Sequence, residues 1–548
     1  MNMLFTITAI FFFIWIIRNI LFWETLWQVK EYRIDRMTVH FNETSQGKRI
    51  FLSPMLFIKL SALFFFGYTI FHQNLLVAFQ IITAAIFALE AVRVIREIIS
   101  HRLKRPVLTF KATVIIIVTL ITTYVFFLFP VFEIFVWLLI IERIIPFVIF
   151  FLVLLFTIPT ELYREIQTQK AVKTLETIRS SRDNNLLVIG VTGSYGKSST
   201  KEYVSQILSR KFRVVNTQGT NNTLIGVVNT VLTSIKKSTE IFVVEMGAYK
   251  RGEIAQMCLL VKPNVGILTA VSDQHLSLFG SFNNIKQAKY ELIESIPKNG
   301  LAVFNGNDET TYELYKITNK TKVLYESFDT IKDLTHVLRS AKGYINASIL
   351  AYNVHVDKTS ISFQVFLKGK VIHVTAPLLG AHNVENLLPA IYLANHLGMT
   401  DKEIKKAVSL LSPLPKTMVR YETKKRASLI DDTFNASPDA VLAALSYMKT
   451  YKGKKIFVLT PLIELGKQAK KEHERLAGEI TKICDLLFLT NNNYSKIFKT
   501  VGKGKKKTCR ILVADPDTIA DYIRRHTQNE DVVVFEGKEA GIALNKLV

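Results

Sequence analysis

Glycines, a lysine and hydroxyl side chains stand at phosphate-binding spacing in Gly190-Val-Thr192-Gly193-Ser-Tyr-Gly196-Lys197-Ser198-Ser199-Thr200. An apolar run, Leu186 to Val191, precedes them, and a helical pattern through Leu208 follows. Strand, glycine turn and helix N-terminus together make an anion site, because backbone N–H groups converge on the phosphate. Lys197 adds a point charge for β- and γ-phosphates, and Ser198 offers a hydroxyl to Mg²⁺. The strict G-x4-G-K-[ST] spacing is not met, since Val191 stands where its first glycine belongs. The chemistry predicted is ATP binding.

Further residues downstream bear on the same chemistry. A buried strand, Ile241-Phe-Val-Val-Glu245, ends in a carboxylate, which beside a phosphate loop is where Mg²⁺ is held. Another strand, Val265 to Thr269, leads to His275, Gly280 and a helix with Lys289. Alone, His275 reads as a loop histidine and Lys289 as a solvated lysine. Further motifs are Gly219-Thr-Asn-Asn222-Thr223-Leu-Ile-Gly226, Gly380-Ala-His382-Asn383-Val-Glu-Asn386 and Asp431-Asp432-Thr433-Phe434-Asn435-Ala436-Ser437-Pro438. Glu464-Leu465-Gly466 with His473 comes last.

In this order, over about 186–540, these segments resemble the Mur ligase family. The loop matches its T-G-x-x-G-K-S-S, and the Asn222 segment is similar to that of its D-alanyl-D-alanine-adding branch. The resemblance implies nucleotide contacts from Thr192, Gly193, Gly196, Lys197, Ser198, Ser199, Asn222, Asn383, Asn386, Asp432 and Asn435. It implies two Mg²⁺ ions near Ser198, Glu245 and His275, with Lys289 carbamylated to support the second ion. The catalytic set implied is Lys197, Glu245, His275 and Lys289. Several positions depart from the family pattern: Tyr249-Lys250 replaces an asparagine-histidine pair, and Thr417 stands for an arginine that Arg420 is near enough to replace. Thr460-Pro461 stands for glycine-aspartate, and the serine-arginine usual after Gly537 is absent.

The first 160 residues are of another kind. Apolar stretches at about 3–22, 54–71, 75–92, 112–129 and 131–158 are each near the ~18 to 20 residues that cross hydrocarbon. The first lacks a basic n-region and a small-residue cleavage site, so it reads as an anchor. Arg93, Arg96, Arg102, Lys104, Arg105 and Lys111 mark their loop as cytoplasmic, as Lys30, Arg33, Arg36, Lys48 and Arg49 mark 24–50. Five spans with the N-terminus outside satisfy both and bring the chain out at Pro159 on the ATP side. Glu142-Arg143 inside the last stretch reads equally as a substrate groove or as two neighbours snorkelling at a helix break. From Glu161 to Arg182 a charged, helical pattern leads to the phosphate loop.

The chain has 548 residues and a net charge of +24. Cys258, Cys484 and Cys509 form no C-x-x-C pair, which implies neither a disulfide framework nor a zinc site. The lysines at 503, 505, 506 and 507 lack aromatic interleaving, so membrane lipids and an anionic substrate account for the charge without nucleic acid. The fold expected is α/β after a transmembrane helical domain. The domains are the transmembrane part at 1–160, a P-loop doubly wound central ATPase domain at 161–415 and a smaller Rossmann-like domain at 416–548. The function implied is a membrane-bound ATP-dependent ligase of cell-wall precursor synthesis. It activates a carboxylate as an acyl phosphate for attack by the amine of an amino acid or dipeptide. The acceptor is an anionic muropeptide-type carboxylate, UDP-linked or lipid-linked. The rivals are a ligase extending another polymer, such as a poly-amino acid or polyglutamyl chain, and a catalytically silent scaffold. No L-S-G-G-Q signature supports an ABC transporter. The cationic residues at 93–105 read either as orientation signals or as a seat for a pyrophosphate headgroup.

Overall fold

The computed structural model describes the chain except residues 1, 44–46, 48–49, 51–52, 101–102, 181–185, 220, 274–275, 329–346, 425–426, 463–464, 466–467 and 503–508. The side chains of 2, 43 and 277 are also outside the description. His275, Glu464, Gly466, Lys48, Arg49, Arg102 and the 503–507 lysines therefore lie outside the described residues. The chain forms two compact units, Met1–Ile166 and Gln167–Val548.

The stretches Met3–Val29, Gln73–Ile99 and Phe110–Leu128 of the first unit, and Ile134–Ser180, which runs past Ile166 into the second, are long and apolar enough to cross a membrane. The span expected at 54–71 is instead a 16-residue helix, Pro54–Thr69. At 1.5 Å per residue it is about 24 Å long, short of the ~30 Å hydrocarbon core. Ser53 caps it by accepting the Leu56 N–H, and Pro54 occupies its first turn. Phe12, Ile16, Phe79, Phe87, Leu138 and Ile149 are fully buried between the helices.

Charge is buried there too. The Lys59 ammonium donates to both oxygens of Glu90 at 2.7 Å and to Glu142 Oε2 at 2.5 Å. Glu142 Oε1 also takes Arg143 Nη2 at 3.3 Å. Glu142 is thus a cross-helix partner, and Arg143 alone of the pair is well exposed. The helix carrying them contains Pro146, which removes one N–H from the helical ladder.

The second unit holds two mixed sheets. The larger contains β1 (Leu187–Thr192), β2 (Val214–Asn216), β3 (Ile241–Glu245), β4 (Val265–Leu268), β5 (Leu301–Asn305), β6 (Thr321–Ser327), β7 (Ile349–Val356), β8 (Ile361–Leu367) and β9 (Lys370–Ala376). Their spatial order is β2-β3-β1-β4-β5-β6-β7-β8-β9. Pairing is parallel from β2 through β7, and β8 and β9 add an antiparallel meander. The first five strands are short and largely apolar because helices cover both faces. Ala171, Leu175 and Ile178 of the helix Thr157–Ser180 belong to one of these two cores.

The smaller sheet contains β10 (Val419–Glu422), β11 (Ser428–Asp432), β12 (Lys455–Leu459), β13 (Leu486–Leu489), β14 (Arg510–Val513) and β15 (Val532–Glu536). Its order is β10-β11-β15-β12-β13-β14, parallel except for the β10 edge. Strand order in the larger sheet diverges on either side of β1, so the crevice beyond β1, β3 and β4 is its topological switch point. Open α/β sheets bind ligands at such points.

Candidate active site

The phosphate-loop residues leave β1 at that switch point. Thr192 Oγ1 donates to the Met246 carbonyl at 2.7 Å, which ties β1 to the end of β3. The Thr192 carbonyl accepts the Thr269 N–H at 2.9 Å on the other side. Gly193 has φ +153°, and a Cβ there would lie 2.1 Å from Thr269 Oγ1 and 3.0 Å from the Ala270 backbone. Gly196, at φ +78°, precedes the helix Lys197–Leu208, and a Cβ there would meet Asn386 Oδ1 at 2.6 Å. Both turns therefore require glycine.

Lys197, Ser198 and Ser199 open the helix, where first-turn N–H groups have no intrahelical acceptor. Lys197 folds over the loop and donates to the Ser194 carbonyl at 3.0 Å. Burial lowers its pKa, and the Glu245 carboxylate opposes that shift.

Glu245 is buried at the end of β3. Asn222 Nδ2 donates to its Oε1 at 3.0 Å, and its N–H donates to Thr217 Oγ1 at 2.9 Å. Its Oε2 has no hydrogen-bond partner among the described residues. Lys289, on the helix Phe282–Ser295, is also buried. Burial, and next the Lys197 charge, push its pKa down to about 7 against Glu253, Glu245 and Glu291. These couplings bring Lys197, Glu245 and Lys289 into one electrostatic group. The loop beside them is pinned by Glu291, which accepts the Gly252 and Ala255 N–H groups. Tyr249 and Lys250, which depart from the family pattern, give their backbone N–H groups to Glu253.

The asparagines of the second cluster divide. Asn383 is buried, with its Nδ2 donating to the Leu379 carbonyl at 2.8 Å and its Oδ1 accepting from Tyr203 at 2.9 Å and Asn386 at 3.3 Å. It fastens the helix His382–His396 to the loop's helix, while Asn386 stands against Gly196. Glu385 receives Asn305 Nδ2 at 3.1 Å and lines a cleft with Ser327, His382, Ala443 and Ser446. Burial lowers the His382 pKa to about 4, so this imidazole is neutral.

Asn435 is exposed, whereas Asp432 is buried in β11, in register with Glu536 of β15. Asp432 Oδ1 accepts the Met418 N–H at 3.3 Å. Burial raises Asp432 to about 7, although contact with Glu536 and Met418 lowers it. Glu536 rises well above the carboxylate range through burial and the Asp432 charge.

Arg420 does not stand free to replace the arginine missing at Thr417. Its guanidinium is taken by Ser428 Oγ at 3.0 Å and Glu422 at 2.5 Å within its own sheet. His473 is a satisfied core histidine that accepts the Leu462 N–H at 3.2 Å, contacts the Ala469 carbonyl at 2.6 Å and stacks on Tyr494.

Three further contacts are absent from the sequence reading. Lys201 lies fully buried beside Glu245. Gln468 Nε2 donates to Asp273 Oδ2 at 2.7 Å, and Lys358 meets Glu530 at 2.6 Å. The last two join the smaller sheet's part of the unit to the larger's. Only Lys201 had a signal in sequence, four residues after Lys197 and so on the same helix face.

The description "Mur ligase middle domain" matches residues 191–394, and "Mur ligase, glutamate ligase domain" matches 418–539. The chain is similar to the UDP-N-acetylmuramoyl-tripeptide–D-alanyl-D-alanine ligase of Bacillus subtilis, at 28% identity over 66% of this chain and 75% of that one. The Escherichia coli enzyme of that name is 28% identical over 63% and 76%. The Buchnera aphidicola one is 29% identical over 59% of this chain, which spans 65% of its length. Among solved structures, MurF from Acinetobacter baumannii superposes with a TM-score of 0.60 at 23% identity, over 70% of this chain and 80% of that one. MurF ligase from Thermotoga maritima in complex with ADP gives 0.59 at 23%, over 70% and 83%. These structural likenesses bear on the fold.

Proposed function

The chain belongs to the Mur ligase family, and on that premise we propose that it is a membrane-bound, ATP-dependent ligase of peptidoglycan precursor synthesis. It joins a muropeptide-type carboxylate, UDP-linked or lipid-linked, to the amine of an amino acid or dipeptide, as the names of its relatives suggest. The observation that carries the reading is the glycine loop tied through Thr192 to the end of the Glu245 strand at the switch point, with Glu245 Oε2 buried and without a hydrogen bond among the described residues.

Gly193 and Gly196 let the backbone approach the phosphates, and the first-turn N–H groups and Lys197 hold them. Asn222 fixes one oxygen of Glu245 so that the other, with Ser198, is offered to Mg²⁺. A buried carboxylate oxygen without a partner fits a cation site. When bound, Mg²⁺ spreads the charge of the transferring γ-phosphoryl group. With its pKa pushed down to about 7, Lys289 presents a substantial share of the unprotonated amine that addition of CO₂ requires, so a carbamate there would add a second metal-facing carboxylate. His275 is assigned with them by its place in the family pattern. Asn386, Asn435 and the segment around Asp432 enclose the rest of the nucleotide, with Asn383 setting the position of Asn386.

A carboxylate oxygen of the acceptor attacks the γ-phosphorus and ADP leaves. The amine then attacks the acyl carbon, phosphate leaves with that oxygen, and the amine gives up a proton. The four long apolar helices among the described residues support membrane insertion, and the basic residues at 93–111 are the ground for putting the ligase part on the cytoplasmic side. The test is ADP release by the detergent-solubilised chain against a panel of UDP-linked and lipid-linked muropeptides and of amines. Release that requires one member of each class is expected; release indifferent to both would refute the reading.

A further inference from the structure

Lys201 is an unexpected ion in the second unit, because its side chain is fully buried. Burying an ammonium is costly unless its surroundings compensate, so its partners indicate what it is for. Its Nζ donates to the Thr217 carbonyl at 2.7 Å and more weakly to the Gly219 carbonyl at 3.4 Å. It meets Glu202 Oε1 at 3.1 Å and stands 3.6 Å from Glu245 Oε2.

The same turn grips Glu245 from the other side. Thr217 Oγ1 takes the Glu245 N–H, Asn222 Nδ2 binds Glu245 Oε1, and the Asn222 carbonyl takes the Gly247 N–H at 2.7 Å. Lys201 therefore fixes the turn that fixes one carboxylate oxygen. Towards the other oxygen it supplies positive charge at a distance that forms no hydrogen bond. Closer approach would add a hydrogen bond to this ion pair and occupy the oxygen, and removal of the charge would take the counter-ion from a buried anion.

We propose that Lys201 is a positioning residue that orients Glu245 and keeps its Oε2 available to a divalent cation carried by the nucleotide. This rests on the reading of Glu245 as a metal ligand. Residues that hold a metal-ligating carboxylate change metal affinity by about 10–100-fold.

The test uses the full chain in detergent and measures equilibrium binding of ADP, first in EDTA and then across a Mg²⁺ titration. In Lys201→Met, which keeps the length of the stem, binding in EDTA stays near the parent value. The Mg²⁺ concentration giving half of the Mg²⁺-dependent gain rises by about 10–100-fold. Lys201→Arg, which retains the charge, falls between, and it carries the test if the methionine variant does not fold. Glu202→Gln takes the charge from the other carboxylate that Lys201 meets, which also accepts from Asn216, and leaves the Mg²⁺ midpoint in place. An unchanged midpoint in the Lys201 variants, or equal losses with and without Mg²⁺, would overturn the proposal. A parent chain whose ADP binding ignores Mg²⁺ would instead overturn the assignment of Glu245 beneath it.

Discussion

Lys197 and Lys289 share one electrostatic group but are assigned opposite tasks, charge on the first and an uncharged amine on the second. Lys197→Ala removes the point charge on the phosphates. Loss of one such charge-stabilising group costs about 10²–10³ in turnover, so ADP release should fall by that order while the melting temperature holds. Lys289→Ala should be nearly inactive and partly restored by a short-chain carboxylic acid, because the acid supplies the group that the carbamate would present. Unaltered activity of Lys289→Ala in CO₂-depleted buffer would make it an ordinary lysine. The pKa of about 7 also has a sign for stability. Between that value and the ordinary lysine range the unfolded chain binds the extra proton, so stability rises with pH there. Lys289→Met should flatten that rise in melts across the same window.

At the scale of elements, the glycine turns and the strand ends were legible in the sequence because their residues have few other uses. Gly193 and Gly196 occupy positions that admit no Cβ, and Glu245 closes an otherwise apolar strand. The β7–β9 meander carried no motif, and it follows a stretch that lies outside the described residues. Lys59 and Glu90 escaped notice because one charge in a long apolar stretch does not reveal its partner on another helix. The partners of Arg420 were hidden for the converse reason, since nearness to Thr417 in sequence says nothing of the Ser428 and Glu422 that it meets. Gly193→Ala should lose nucleotide binding, because its Cβ would strike Thr269 and the Ala270 backbone; binding at the parent level would mean the turn can yield. Breaking a buried ion pair from one side costs about 3–5 kcal/mol. Lys59→Met should therefore lower the unfolding temperature of the detergent-solubilised chain more than Arg143→Met does, as Lys59 serves two carboxylates. Equal effects would place the weight on Arg143.

At the scale of the whole molecule, the proposed function requires the ligase part to face the cytoplasm beside a membrane-inserted helical part. With four crossings rather than five, cysteines replacing Lys104, Ser180 and Asn2 should all be shielded from an impermeant thiol reagent in intact cells. Labelling at Ser180 would put the nucleotide site outside the cell and contradict the localisation. The central claim is that ATP activates a carboxylate before an amine attacks it, and oxygen transfer tests it most directly. With ¹⁸O in the acceptor carboxylate, the account predicts ADP, a new amide and inorganic phosphate carrying one ¹⁸O for each amide formed. Unlabelled phosphate, or AMP with pyrophosphate as the products, would contradict it.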